Sequence, residues 1–131
     1  MDIEVQVVQV GRTTGQGTAR SHHVLIDRPL DKGGEDRGMM GGEHVLIALG
    51  GCFLSNLLAA IQARGAATDN VRLSITGHLS AAPARFGAID VLVSADTDDR
   101  AMLEKLVEIA DRACIVSNTL RLAVDLHFRL A

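Results

Sequence analysis

Polar and apolar positions repeat along this chain with two periods, one strand-like and one helical. Ile3 to Val10 alternates and is rich in β-branched residues, the pattern of a half-buried strand. Thr14-Gly-Gln-Gly17 supplies turn residues, and Ala19 to Asp27 reads as a second strand or strand pair ended by Pro29. Asp31 to Gly42 is polar, glycine-rich and charged, which predicts a loop; loops of about a dozen residues in a compact domain are often functional or mobile. Glu43 to Arg64 reads as one long apolar helix with Gly65 as its C′ residue. Asn70 to Leu79 and Arg85 to Ala95 alternate as an antiparallel pair around Ser80-Ala-Ala-Pro83. Asp98 or Asp99 caps a second helix, Arg100 to Ala113, whose Leu103, Leu106, Val107 and Ala110 form one apolar stripe. Arg121 to Leu130, with Leu122, Val124, Leu126 and Phe128 alternating, reads as the last strand. The order predicts a single α+β domain over residues 1–131, helices packed on an antiparallel sheet.

The central helix is apolar on every side, and one small sheet cannot cover it. A homodimer that buries the helix at its interface solves that problem, and Gly50, Gly51, Ala59, Ala60 and Ala63 are small enough for close helix approach. The run from Val45 to Ile61 is at the short limit for a membrane span and carries Gly50, Gly51, Ser55 and Asn56. A buried core or subunit-interface helix is therefore expected, not a membrane helix.

Composition narrows the function classes. A chain of 131 residues supports one core. A net charge of −3, with three Phe and neither Tyr nor Trp, gives no reason to expect a nucleic-acid partner. The start, Met1-Asp-Ile-Glu-Val, is acidic and alternating rather than basic and then apolar. That reads as no signal peptide and a cytoplasmic, reducing location, where a permanent structural disulfide is not expected.

The candidate chemistry sits on two cysteines. Cys52 lies inside the apolar run, and Cys114 opens Cys114-Ile-Val-Ser-Asn-Thr-Leu120. Their separation in sequence leaves open whether they meet. One reading is a nucleophile with a resolving thiol: a peroxide oxidises the first to sulfenic acid and the second condenses with it to a disulfide. The other is a pair of inert buried thiols acting as small hydrophobes. Ser117-Asn-Thr119 can start a short helical turn whose free N–H groups favour a Cys114 thiolate. Cys52, in mid-helix, has no such help and needs a cation or donor from elsewhere, because desolvation disfavours a thiolate.

Ser55 and Asn56, at i+3 and i+4, are the polar residues nearest Cys52 along the helix. Glu43, nine residues earlier, falls on the opposite face unless the helix begins later. Its alternative role is a first-turn carboxylate complementing the helix dipole. His22 and His23, near Asp27, point to opposite faces of a strand and make no ligand set. Lys32-Gly-Gly-Glu-Asp36 lacks the GK[ST] ending of a phosphate loop. Neither a metal nor a cofactor is expected.

Taken together, Asp27-x-Pro29, Gly33-Gly34-x-Asp36, Glu43-x-x-Leu46-Ile-Ala-Leu-Gly-Gly-Cys52 and Ala113-Cys114-x-Val116-Ser-Asn-Thr-Leu120 resemble the OsmC/Ohr family, osmotically inducible protein C and organic hydroperoxide resistance protein. The resemblance implies an intertwined α+β homodimer with two active sites at the subunit interface and the helices buried centrally. It also implies a thiol-dependent peroxidase: Cys52 as the peroxidatic nucleophile, Cys114 as the resolving cysteine, organic hydroperoxides reduced to alcohols. A dithiol such as a lipoylated protein would recycle the disulfide. An arginine from the N-terminal strands activates the nucleophile in that family; Arg12 is the nearest match, with Arg20 as a rival. Three positions depart from the pattern: Gly42 stands where the working carboxylate is usual, Glu43 corresponding instead to a residue typical of less characterised OsmC-like branches; Gly41-Gly42 replaces a proline near the helix start; and Ile115 replaces the proline after the second cysteine. Those departures keep a second function open, a non-catalytic stress or small-ligand protein that retains the fold.

Overall fold

A computed structural model describes residues 1–131, which fall into two compact units, residues 1–45 and 46–131. The N-terminal unit is a meander of β1 (Gln6–Gln9), β2 (Gly15–Ala19) and β3 (His22–Ile26), antiparallel in the order β1-β2-β3. Val8 pairs with Gln16, and Gly17 with Val24. The stretch from Thr14 to Gly17 is therefore mostly strand rather than turn. The chain reverses earlier, around Gly11–Thr13, where the Val10 N–H donates to the Thr14 carbonyl at 3.0 Å. Arg20, with φ 55°, makes the tight turn into β3.

The long segment after β3 is held down throughout. A 3-10 turn covers Leu30–Lys32, Met39 forms a parallel bridge with Ile26, and the Asp27 N–H donates to the Met39 carbonyl at 3.2 Å. The buried Asp27 carboxylate is its knot. It accepts from Thr13 Oγ1 (2.7 Å), Thr14 Oγ1 (2.9 Å), Arg28 N (2.7 Å) and Arg37 N (3.2 Å). Desolvation acts to raise its pKa, but these four donors outweigh it and hold the carboxyl far below the usual range.

Helix α1, Gly41–Arg64, begins two residues before Glu43 and takes in Gly41 and Gly42, the last two residues of the expected loop. Glu43 Oε1 accepts the Met40 N–H at 2.9 Å and satisfies one of the orphan donors at the helix start. At the other end Gly65, φ 57°, adopts the left-handed conformation that closes helices, its N–H bonded to the Gln62 carbonyl.

In the C-terminal unit β4 (Thr68–Ser80) and β5 (Arg85–Thr97) form a long antiparallel hairpin, with Leu73 opposite Val93 and Ile75 opposite Val91. One face of α1 packs here through Leu49, Gly50, Phe53, Leu57 and Ile61. Gly50 is required by that packing, since a Cβ there would run into Ile75 Cδ1. Helix α2, Arg100–Ala113, has the expected bounds. Its cap is Asp99, whose Oδ1 accepts the Met102 N–H at 2.9 Å. Leu106 and Ala110 complete a core with Phe53, Leu57, Ile61 and Cys114.

The central helix is not enclosed within one chain: Val45, Ile47 and Leu58 are exposed, although its length and composition equal those of a membrane span. One expectation changes: Arg121 to Leu130 does not form the last strand. Residues Ile115–Arg121 instead make a short helix α3, and beyond Leu122 the chain pairs with nothing, leaving Val124, Leu126 and Phe128 exposed. Alternation fits a strand only where a neighbouring edge accepts its backbone, and none does here.

Candidate active site

Cys52 and Cys114 meet. Cys52, half-buried in the fourth turn of α1, packs against the core cluster that contains Cys114, and it is one of the groups that lower the Cys114 pKa. Both are free thiols. The helix register brings this about. Cys52 precedes the core residue Phe53 by one position, at the margin of the packed stripe, while Cys114 stands at the junction where α2 ends and α3 begins.

That junction organises Cys114. Its N–H donates to the Asp111 carbonyl at 3.2 Å, closing α2, and its Sγ accepts the Ser117 N–H at 3.4 Å, opening α3. The sulfur has no exposed surface. Burial by itself pushes the thiol pKa up. The Ser117 hydroxyl, the Ser117 amide, Cys52 and the Val116 amide together reverse that effect, so Cys114 ionises below its ordinary value. The expectation that a helical turn after Cys114 favours its thiolate is realised.

Behind Cys114 lies a group of residues that the sequence did not single out. The buried Ser117 donates its amide to the Cys114 sulfur, and it helps to lower the pKa of both Cys114 and Asp111. Arg121 grips Asp111 with two parallel bonds, Nη1–Oδ1 at 2.8 Å and Nη2–Oδ2 at 2.9 Å. That grip is the main reason the Asp111 carboxyl sits below its usual range; burial opposes it, and Ser117 and Arg112 add to it. The available signal was spacing: Asp111, Cys114 and Ser117 recur every three residues, but the change of helix between them made one-face geometry unreadable.

Near Cys52 the donors are sparse. Asn56 Nδ2 donates to the Cys52 carbonyl at 2.9 Å and is 3.9 Å from its sulfur, so the amide mainly serves the helix backbone. Ser55 is exposed.

Arg12 and Glu43 lie in the N-terminal unit, each with a partner there. Arg12 is exposed in the β1–β2 turn and pairs with Glu35, Nε–Oε1 3.6 Å, a carboxylate the sequence did not suggest. Glu43 is the helix-start acceptor of Met40, the alternative role open to it. Its place in the first turn, about two and a half turns ahead of Cys52 and on the opposite face, follows from the helix starting at Gly41. Arg20 lies in the turn between β2 and β3, with a backbone φ of 55°. The same unit carries a cavity of about 490 Å³, whose walls include Thr13, Asp27, Arg28, Lys32 and Gly41.

Comparison with known proteins agrees with this fold. The OsmC family model, OsmC-like protein, matches residues 33–129. No match to a curated protein is found. Among solved structures, an OsmC-like protein from Mycoplasma pneumoniae superposes with a TM-score of 0.79 at 16% identity, covering 92% of this chain and 88% of that one. An organic hydroperoxide resistance protein OsmC from Legionella pneumophila gives 0.66 at 19% identity, over 92% and 90%. The organic hydroperoxide resistance protein OhrB of Bacillus subtilis gives 0.61 at 20% identity, over 92% and 91%. At these identities the likeness is one of fold, an α+β arrangement of antiparallel sheets and helices. With most of its length matched by the family model, the chain belongs to the OsmC-like protein family.

Proposed function

We propose that this protein is a thiol peroxidase that reduces organic hydroperoxides to alcohols through Cys52 and Cys114. The observation that carries the reading is the contact between two free thiols, one half-exposed and the other buried with its thiolate favoured. In the first step the Cys52 thiolate attacks the terminal peroxide oxygen. The O–O bond breaks, the alkoxide takes a proton and leaves as alcohol, and Cys52 becomes a sulfenic acid. The Cys114 thiolate then attacks the sulfenic sulfur, the S–O bond breaks, water departs and a disulfide forms. A dithiol, such as a lipoylated protein, returns both sulfurs to the reduced state. Two structural neighbours named as organic hydroperoxide resistance proteins support the substrate class.

Arg12 is the proposed activating cation of Cys52, because arginine stays charged and its planar fork can hold a peroxide oxygen. Its resting partner Glu35 would take the part that Gly42 cannot. The working form in this reading is a cytoplasmic homodimer, supported by the uncovered apolar face of α1.

Stopped-flow consumption of cumene hydroperoxide tests the proposal. The reduced wild type should consume it with a dithiol present, and Cys52→Ser should fall to the uncatalysed rate. Equal rates would end the peroxidase reading.

A further inference from the structure

Helix α3 is too short to stand alone, since its seven residues fall well below the length at which an isolated helix persists. Apolar packing secures little of it: Ser117 is buried and Val116 reaches the core, while Ile115 and Leu120 are exposed. Polar bonds to α2 hold it instead. Arg121, at its end, grips both Asp111 oxygens at 2.8 and 2.9 Å, and Asn118 Nδ2 donates to the Arg112 carbonyl at 3.1 Å. Between these ties stands Cys114, whose extended backbone (ψ 115°) turns the chain from one helix into the next. Its sulfur is fully buried, yet the amide that donates to it, Ser117 N–H at 3.4 Å, comes from α3. The placement of that donor therefore depends on where the Asp111–Arg121 pair holds α3. With side chains 34% and 63% exposed, the pair adds little to overall stability.

We propose that Asp111 and Arg121 are positioning residues for Cys114: their bidentate pair locks α3 to α2, keeps the Ser117 N–H on the Cys114 sulfur, and so poises that sulfur to resolve an oxidised Cys52. The inference rests on the proposed pairing of the two cysteines. In the step concerned the Cys114 thiolate attacks the Cys52 sulfenic sulfur and the S–S bond forms. The S–O bond breaks, and the departing hydroxide takes a proton and leaves as water. A thiolate attacks only where it is populated and held in place, and a donor fixed at the sulfur serves both needs. The Cys114 thiol ionising below its ordinary value, against the upward push of burial, agrees with this. The pair acts through position rather than charge. The Asp111 carboxylate by itself opposes a second negative charge at the same junction, so its benefit comes from anchoring Arg121. The titratable and charged groups around the sulfur are Cys52 on α1, Asp111 and Arg112 on α2, and Arg121 on α3. The hairpin contributes only Val71, Leu73 and Val93 to the surrounding core.

Two measurements decide it. In a Cys52→Ser background, thiolate absorbance against pH should show a Cys114 midpoint raised by about one pH unit in Arg121→Gln, the size expected for one loosened hydrogen bond to a charged group. Asp111→Ala is the sharper variant, because charge and position predict opposite signs. Removing a carboxylate lowers the midpoint if charge alone matters, whereas releasing α3 raises it. Both replacements are good helix formers at partly exposed positions, so the fold is kept. A midpoint unchanged in Arg121→Gln, or unchanged or lowered in Asp111→Ala, overturns the proposal. Separately, with Cys52 present, one equivalent of cumene hydroperoxide is followed by dimedone added at intervals. The Cys52 sulfenic acid should persist about tenfold longer in Arg121→Gln than in wild type at a pH below both midpoints, the ratio of thiolate populations one pH unit apart. Equal lifetimes overturn the role in resolution. The titration uses no peroxide, so a protein with raised midpoints that consumes no hydroperoxide loses the peroxidase reading and keeps the Asp111–Arg121 lock.

Discussion

At the residue scale, polar groups inside this protein are costly unless fully partnered, and Asp27 and Cys114 meet that demand in different ways. Asp27 is a static knot. Four donors converge on its two oxygens and tie the β1–β2 turn to the segment that follows β3. Because its folded-state pKa is depressed, the stability it contributes is fully present above the unfolded carboxyl value, about 4. It is lost progressively as pH falls below that, since the unfolded chain takes up the proton first. The wild-type Tm should therefore drop steeply below about pH 4, while Asp27→Asn should start lower at neutral pH and depend less on pH. Parallel acid dependence of Tm in the two proteins would contradict this role. Cys114 differs in that its partners also favour a charged state: the Ser117 amide donates to its sulfur, and Ser117 lowers its pKa.

At the scale of elements, the C-terminal unit leaves apolar surface uncovered in two places, the outer face of α1 and the tail after α3. The tail alternates Leu122, Val124, Leu126 and Phe128, all exposed, and the hairpin sheet has only two strands, each of 13 residues, whose outer edges are unpaired. Unpaired edges of that length are ready templates for another strand, and each apolar side chain buried there is worth about 1.5–3 kcal/mol. The proposed dimer would cover the helix face, and strand formation by the tail would accompany it. Sedimentation of the wild type at micromolar concentration should give a dimer mass, and truncation after Arg121 should weaken that association. A monomeric wild type would remove the dimer from the account.

At the scale of the whole molecule, the strongly periodic elements were legible in the sequence: the long hairpin, α2 with its Asp99 cap, and α1 to within two residues at its start. Ala19–Asp27 resolved into the end of β2 and all of β3. The turn glycines misled because Gly15 and Gly17 lie inside β2, where Val7 and Val24 crowd the position a Cβ would take. The last strand was misread because alternation records a preference for an edge without supplying one. For the site, the two cysteines and the helical turn after Cys114 were legible, but their meeting is a tertiary fact. Ser117, Asp111 and Arg121 stayed hidden because they straddle the break between α2 and α3, where neither helical period applies.

The account's central claim is that Cys52 and Cys114 act as one redox pair, and peptide mapping after a single equivalent of organic hydroperoxide tests it most directly. It predicts the loss of both thiols, one equivalent of alcohol, and an intrachain Cys52–Cys114 disulfide, with Cys114→Ser stalling at a trappable Cys52 sulfenic acid. Two unmodified thiols with the hydroperoxide intact would contradict it and leave a protein that keeps the fold without the chemistry.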